Sequence, residues 1–198
     1  EKETGTYLAF YSQEERRNTE GIHVFTTTNV DDTAHKSILL TEFLNDSEVT
    51  DNTQYITNLG GKTLAIVAVN NIVGDGNQNI TYPALASTSN APEVLIGSDV
   101  HTATVVNDSL VISNENDIYN RVAWAFTDTG KPGSYYIQAA NFYGEPNADN
   151  SAGKYLNISA TGLSVSETKQ AIEVIPATVS YDEGCPVRND VVCLRAEV

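Results

Sequence analysis

Short runs in which bulky residues alternate with small or polar ones recur along the whole chain. Thr6–Tyr11, Gly21–Thr28, Thr63–Val69, His101–Val106, Ser134–Ala139, Tyr155–Ser159 and Ala171–Ile175 are rich in β-branched and aromatic residues, and turn formers bound nearly all of them. That pattern predicts strands. In Val122–Phe126 residues 122, 124 and 126 share a face, which makes Trp124 a core-facing strand residue. One stretch breaks the period: between Asp32 and Asn45, Leu39, Leu40, Phe43 and Leu44 recur at helical spacing behind Asp32 or Thr33 as cap. It predicts one short helix. Ser12 and Glu15 have the spacing of a capping box, which fits a further helical turn or, equally, a solvated loop.

The expected fold is therefore all-β with one short helix, built as a trefoil-like barrel or a β-sandwich. A length of 198 residues suits a single domain spanning 1–198. A loose echo favours neither architecture. Gly5-Thr-Tyr-Leu-Ala-Phe, Gly61-Lys-Thr-Leu-Ala-Ile, Gly153-Lys-Tyr-Leu-Asn-Ile and the looser Gly133-Ser-Tyr-Tyr-Ile each read as a turn entering a strand, but their spacing is uneven. A solenoid of fixed period is excluded.

Composition narrows the partners. Hydrophobic residues make up 40% and charged residues 19% of the chain, which excludes a coiled coil. A net charge of −15 repels phosphate backbones and anionic lipid, so no nucleic acid and no membrane surface is expected as partner. No apolar run approaches the roughly 20 residues of a membrane helix. The chain begins at Glu1 and holds no Met, which fits a processed mature form.

Cys185 and Cys193 enclose seven residues in a Gly-Cys-Pro turn context. They are expected to form a disulfide, worth roughly 2.6 kcal/mol on the chain-entropy account, and with it an extracellular setting. Asn45, Asn79, Asn107 and Asn157 head Asn-x-Ser/Thr sequons, weak signals in a chain so rich in those residues.

Part of the chain carries a resemblance. Gly61-Lys-Thr-Leu-Ala-Ile-Val, Ala84-Leu-Ala-Ser-Thr, Trp124-Ala-Phe, Ser134-Tyr-Tyr-Ile-Gln, Gly153-Lys-Tyr-Leu-Asn-Ile-Ser and Gly162-Leu-Ser-Val-Ser, over about residues 60–176, resemble a β-rich module of secreted and wall-anchored surface proteins of gut Gram-positive bacteria. The Gly-Lys-Tyr-Leu strand also resembles segments of trefoil lectins and fascin-like folds. The resemblance implies an extracellular module of an adhesin, pilin-like protein or secreted enzyme, usually without chemistry of its own. No Leu-Pro-x-Thr-Gly sorting signal is present, and the first 60 residues and the Cys pair lie outside the pattern.

Catalytic signatures are missing: there is no Gly-x-Ser-x-Gly elbow, His-Glu-x-x-His, phosphate-binding loop or dinucleotide fingerprint. No enzyme is expected. His23, His35 and His101 are isolated, and no two have metal-ligand spacing. Asp75, Asn77 and Asn79 place oxygens at alternate positions, but Ile80 and Ala86 stand where an EF-hand needs glycine and glutamate. Asn147, Asp149 and Ser151 form a second alternate set. Calcium is the one cofactor such loops would take, against solvated turns as the plain reading.

The best ligand candidate is the Asn141–Gly153 connection, where Phe142 and Tyr143 stand beside Glu145, Asn147 and Asp149. Aromatic faces with amide and carboxylate acceptors suit a glycan; otherwise the two rings cap the core. Two functions follow. One is a non-enzymatic surface protein, a structural subunit or adhesive module of a pilus or filament that self-associates by strand addition through Thr6–Tyr11 or Val191–Val198. The other is a lectin-like module that stays monomeric.

Overall fold

A ring of six strands organises the computed structural model. It describes residues 4–12, 22–44, 48–51, 58–68, 73–74, 80–82, 84–87, 92–95, 103–106, 109–112, 123–140, 153–179 and 188–197. The ring strands are β3 (Ile38–Leu44), β5 (Thr63–Ala68), β12 (Ala123–Asp128), β13 (Ser134–Ala140), β16 (Ile172–Val179) and β17 (Arg188–Ala196). Each pairs antiparallel with the next in that order, and β17 returns to β3. A sheet closed on itself has no edge strand, unlike the two open sheets of a sandwich.

Three hairpins stand on this ring. They are β1 (Tyr7–Ser12) with β2 (Ile22–Thr27), β8 (Ala84–Ser87) with β9 (Pro92–Leu95), and β14 (Tyr155–Ser159) with β15 (Gly162–Ser166). Strands β2, β9 and β15 lie against one another. Each hairpin is joined to one ring strand through a single pair: Arg195↔Tyr7, Val67↔Ala84 and Gln138↔Tyr155. Three residues earlier on those ring strands, Val192, Leu64 and Tyr135 pair with Ile38, Trp124 and Ile172. The register is thus the same three times, and the plan is that of a trefoil-like barrel. The first unit is β17 with β1, β2 and β3; the second is β5, β8, β9 and β12; the third is β13 to β16. The two ends of the chain meet inside the first unit, where the Ala196 amide donates to the Thr6 carbonyl at 2.9 Å.

The core follows the same threefold order. Leu64, Tyr135 and Val192 form one buried set, Ile66, Ile137 and Leu194 the next, and Leu40, Phe126 and Val174 a third. Leu8, Leu85 and Leu156, one residue beyond the hairpin junctions, are equivalent and fully buried. Trp124 is fully buried as its strand alternation predicts, and its Nε1 donates to the Leu85 carbonyl at 3.0 Å, which satisfies the one polar atom the ring carries inside. Burying such a side chain contributes about 1.5–3 kcal/mol relative to exposure.

The echo has a structural meaning. The Gly5 and Gly153 copies enter β1 and β14, equivalent strands of two units, whereas the Gly61 and Gly133 copies enter β5 and β13, the other equivalent pair. Gly61 and Gly133 have φ of 81° and 76°, which an L-residue adopts only under strain. Strands β4 (Glu48–Asp51), β6 (Val73–Gly74), β7 (Ile80–Tyr82), β10 (Ala103–Val106) and β11 (Ser109–Ile112) form an annex, paired in the order β3–β4–β11–β10–β7–β6.

Two expectations are corrected. The helix is only α1 (Thr33–Lys36), and Ser37 leaves it in extended conformation with ψ 129°. Leu39, Leu40, Phe43 and Leu44 belong to strand β3, not to the helix their spacing predicts. Ile38, Leu39 and Leu40 are all buried, so both strand faces demand apolar residues and the period-2 signal is lost. The Cys185–Cys193 bridge is also not formed: Cys193 is a free thiol in β17, 3% exposed. Cys185 lies outside the described residues, as does the possible helical turn after Ser12.

Candidate functional site

The outer face of the third unit is built by simple alternation. In β13, Tyr135, Ile137 and Ala139 point into the barrel and leave Tyr136 and Gln138 half-buried outside; in β14, Leu156 and Ile158 point in and leave Tyr155 and Asn157 outside. Since Gln138 is registered opposite Tyr155, Tyr136 comes within ring contact of Tyr155, with centroids 6.4 Å apart at 79°. That is an edge-to-face pair.

A third group is brought over these rings. Residues 166–170 return across β14, and their course is fixed by side-chain amides. Gln170 accepts from the Ile158 amide at 2.5 Å and donates to the Ile158 carbonyl at 2.9 Å, taking the place of a neighbouring strand. Asn157 Nδ2 donates to the Thr168 carbonyl at 3.0 Å, while Asn157 Oδ1 accepts from Ser166 Oγ. So clamped, the segment sets Lys169 Nζ 5.6 Å above the Tyr136 ring and 5.7 Å above the Tyr155 ring. Lys169 is exposed and has no carboxylate at ion-pair distance among the described residues. Because the Asn157 amide nitrogen is held by the Leu156 and Thr168 carbonyls, this sequon side chain is a structural clip.

The equivalent place in the first unit is sealed. Tyr7 stands where Tyr155 stands, but is 3% exposed, and Lys36 Nζ lies 4.1 Å above it while donating to the Val30 carbonyl at 2.7 Å. Lys36 is itself 6% exposed. In the second unit the position is Ala84, which has no ring.

Two other polar clusters have structural partners. At the seam of the third and first units, Glu173 accepts from Lys131 at 2.9 Å and from Arg195, and Glu197 accepts from Lys131 at 3.1 Å and from Ser134 at 2.6 Å. Burial works to raise Glu173, but the bonds from Lys131 and Arg195 outweigh it and hold its carboxyl below the ordinary value. Glu197 is lowered as well, first by Ser134 and then by Lys131. In α1, His35 Nδ1 bonds Asp32 at 2.5 Å. Burial pushes the Cys193 thiol up to about 11, although Lys36 and Ser37 act the other way.

Several expected site residues cannot be placed against this geometry. Phe142, Tyr143, Glu145, Asn147 and Asp149 lie outside the described residues, as do Asp75, Asn77 and Asn79. The chain nonetheless fixes where the 141–153 connection is anchored: it leaves from β13 and returns to β14, the two strands that carry Tyr136 and Tyr155. Among the described residues no three His, Cys, Asp or Glu gather as a metal site, and no helix is long and apolar enough to cross a membrane. Tyr136 and Lys169 were missed in the sequence. Consecutive Tyr135 and Tyr136 in a strand must face opposite ways, a usable signal, whereas nothing local marks Lys169.

No protein-family model, no curated protein and no solved structure matches this chain.

Proposed function

We propose that the chain is an extracellular, non-enzymatic adhesive module that binds carbohydrate on the outer face of its third unit. One observation carries the reading: of the three equivalent positions, only Tyr155 offers a ring on an open face, paired with Tyr136. Sugars present C–H faces to aromatic rings and hydroxyls to polar groups, and a rigid barrel strand holds the rings in place without a cost in loop ordering. The resemblance to surface modules of gut bacteria and to trefoil lectins supports the setting by analogy.

The structural-subunit reading has less support. Strand addition needs an unpaired strand, and both proposed donors are engaged: β1 by β2 and β17, and β17 by β16, β3 and β1. Glycan-array screening followed by titration of the best hit tests the proposal. Tyr155→Ala is expected to weaken binding at least tenfold, with Tyr143→Ala reporting on the contribution of the adjoining connection. Undiminished binding by Tyr155→Ala and Tyr136→Ala would remove this face as the site.

A further inference from the structure

The lysine over the two rings says which sugars the face prefers. In a chain with 26 acidic residues against 11 basic ones, cations find carboxylates easily, and Lys131 and Arg195 have done so. Lys169 has not. The Gln170 and Asn157 clamps hold its segment against β14, and its Nζ lies over the Tyr136 and Tyr155 rings. A cation so placed at an exposed site gains less from the rings than a charge-assisted hydrogen bond supplies. It therefore retains a preference for an anion that arrives on the rings.

We infer that the Tyr136–Tyr155–Lys169 face selects acidic sugars, stacking a pyranose ring on the tyrosines and pairing its carboxylate or sulfate with Lys169. This rests on the carbohydrate reading above and refines it. Net charge opposes any anionic ligand at long range, but at physiological ionic strength the Debye length is about 8 Å, so distant carboxylates are largely screened where Lys169 makes contact. The first unit shows the opposite arrangement: Lys36 also covers a tyrosine, but its Nζ is bonded to the Val30 carbonyl and is closed to solvent.

Titration with an oligogalacturonate, its methyl ester and an O-sulfated oligogalactose provides the test. The ester keeps the ring and removes the charge. The free acid is expected to bind about tenfold tighter than the ester, and comparison with the sulfated sugar tells carboxylate from sulfate recognition. Lys169→Gln should erase the preference for charge. Lys131→Gln makes the same change in net charge at the seam and should preserve it; melting curves verify that both variants are folded. Equal binding of acid and ester by the wild-type protein, or a preference that survives Lys169→Gln, overturns the acidic-sugar inference and leaves the carbohydrate reading standing. Failure of the wild-type protein to bind any of the three, together with a blank glycan array, overturns both.

Discussion

Tyr7 and Tyr155 occupy the same position in two units of one barrel, and each has a lysine over its ring. Their surroundings differ. Before Ile38 the chain folds back as α1 and seals Tyr7 beneath Lys36, whereas before Ile172 the segment 166–170 is clipped to β14 and leaves the ring half-open. A repeated interior thus fixes where side chains point, and the connections decide which of them become surface. The interior layers are equivalent in the two units, so the difference lies outside them, in the covering segments and in the outward neighbours on the ring strand, where Arg195 and Cys193 replace Gln138 and Tyr136.

The largest effect expected from this comparison is on stability. Tyr7→Ala removes a ring packed on both sides and should cost about 3–5 kcal/mol, in the range for large buried aromatics. Tyr155→Ala should cost roughly 1 kcal/mol, because its outer side is solvent. Leu8→Ala and Leu156→Ala serve as paired controls in the shared interior, each expected at about 2–5 kcal/mol. Urea unfolding of the four variants measures all of these. A Tyr155 cost equal to that of Tyr7 would mean that the third-unit face is core, and would remove the ligand site with it.

How legible this was in the sequence depends on which side of a strand is asked about. Tyr155–Ser159 and Tyr135–Ala139 alternate cleanly because one face is buried and the other is not. β3 does not, since Ile38–Leu40 are buried on both faces, and two-sided burial imitates the apolar clustering of a helix. The echo of Gly5 and Gly153 was visible, but its threefold meaning was hidden. One unit is assembled from both ends of the chain, so no linear period exists. The candidate face was half legible: the Ser134-Tyr-Tyr-Ile run and Tyr155 could be picked out, whereas Lys169 reaches the rings through Gln170 and Asn157, contacts between segments that no local pattern encodes.

A smaller effect is expected at the seam that joins the two compared units. Lys131 comes from the loop before β13, Glu173 from β16 and Arg195 from β17, so the network ties the third unit to the strand that closes the first. Glu173 and Glu197 are held below the ordinary glutamate value of about 4.3 in the folded chain. A depressed carboxylate contributes stability that is present above the ordinary value and is lost as pH falls through the depressed one. Stability measured by urea at stepwise pH should therefore decline below about pH 4.5, and Glu173→Gln should be less stable at pH 7 with a shallower decline. An unchanged slope in Glu173→Gln would show that the seam does not report on barrel closure.

The smallest effect concerns reactivity alone. Cys193 follows Val192 as Tyr136 follows Tyr135, so it takes in the first unit the place of an open-face tyrosine in the third. It is 3% exposed and its thiol is pushed up to about 11. At pH 8 only about 0.1% of such a thiol is thiolate, against roughly a quarter for an ordinary cysteine of pKa 8.5, which is a reduction in reactive form of roughly two-hundredfold before steric exclusion is counted. Native protein treated with iodoacetamide should leave Cys193 unmodified over hours, and peptide mass mapping after unfolding should then show it fully alkylated without prior reduction. Fast labelling of the native chain would mean that α1 does not seal the first unit. An intact mass two daltons below the dithiol value, with no labelling after unfolding, would restore the Cys185–Cys193 bridge and with it the cysteine argument for an extracellular setting.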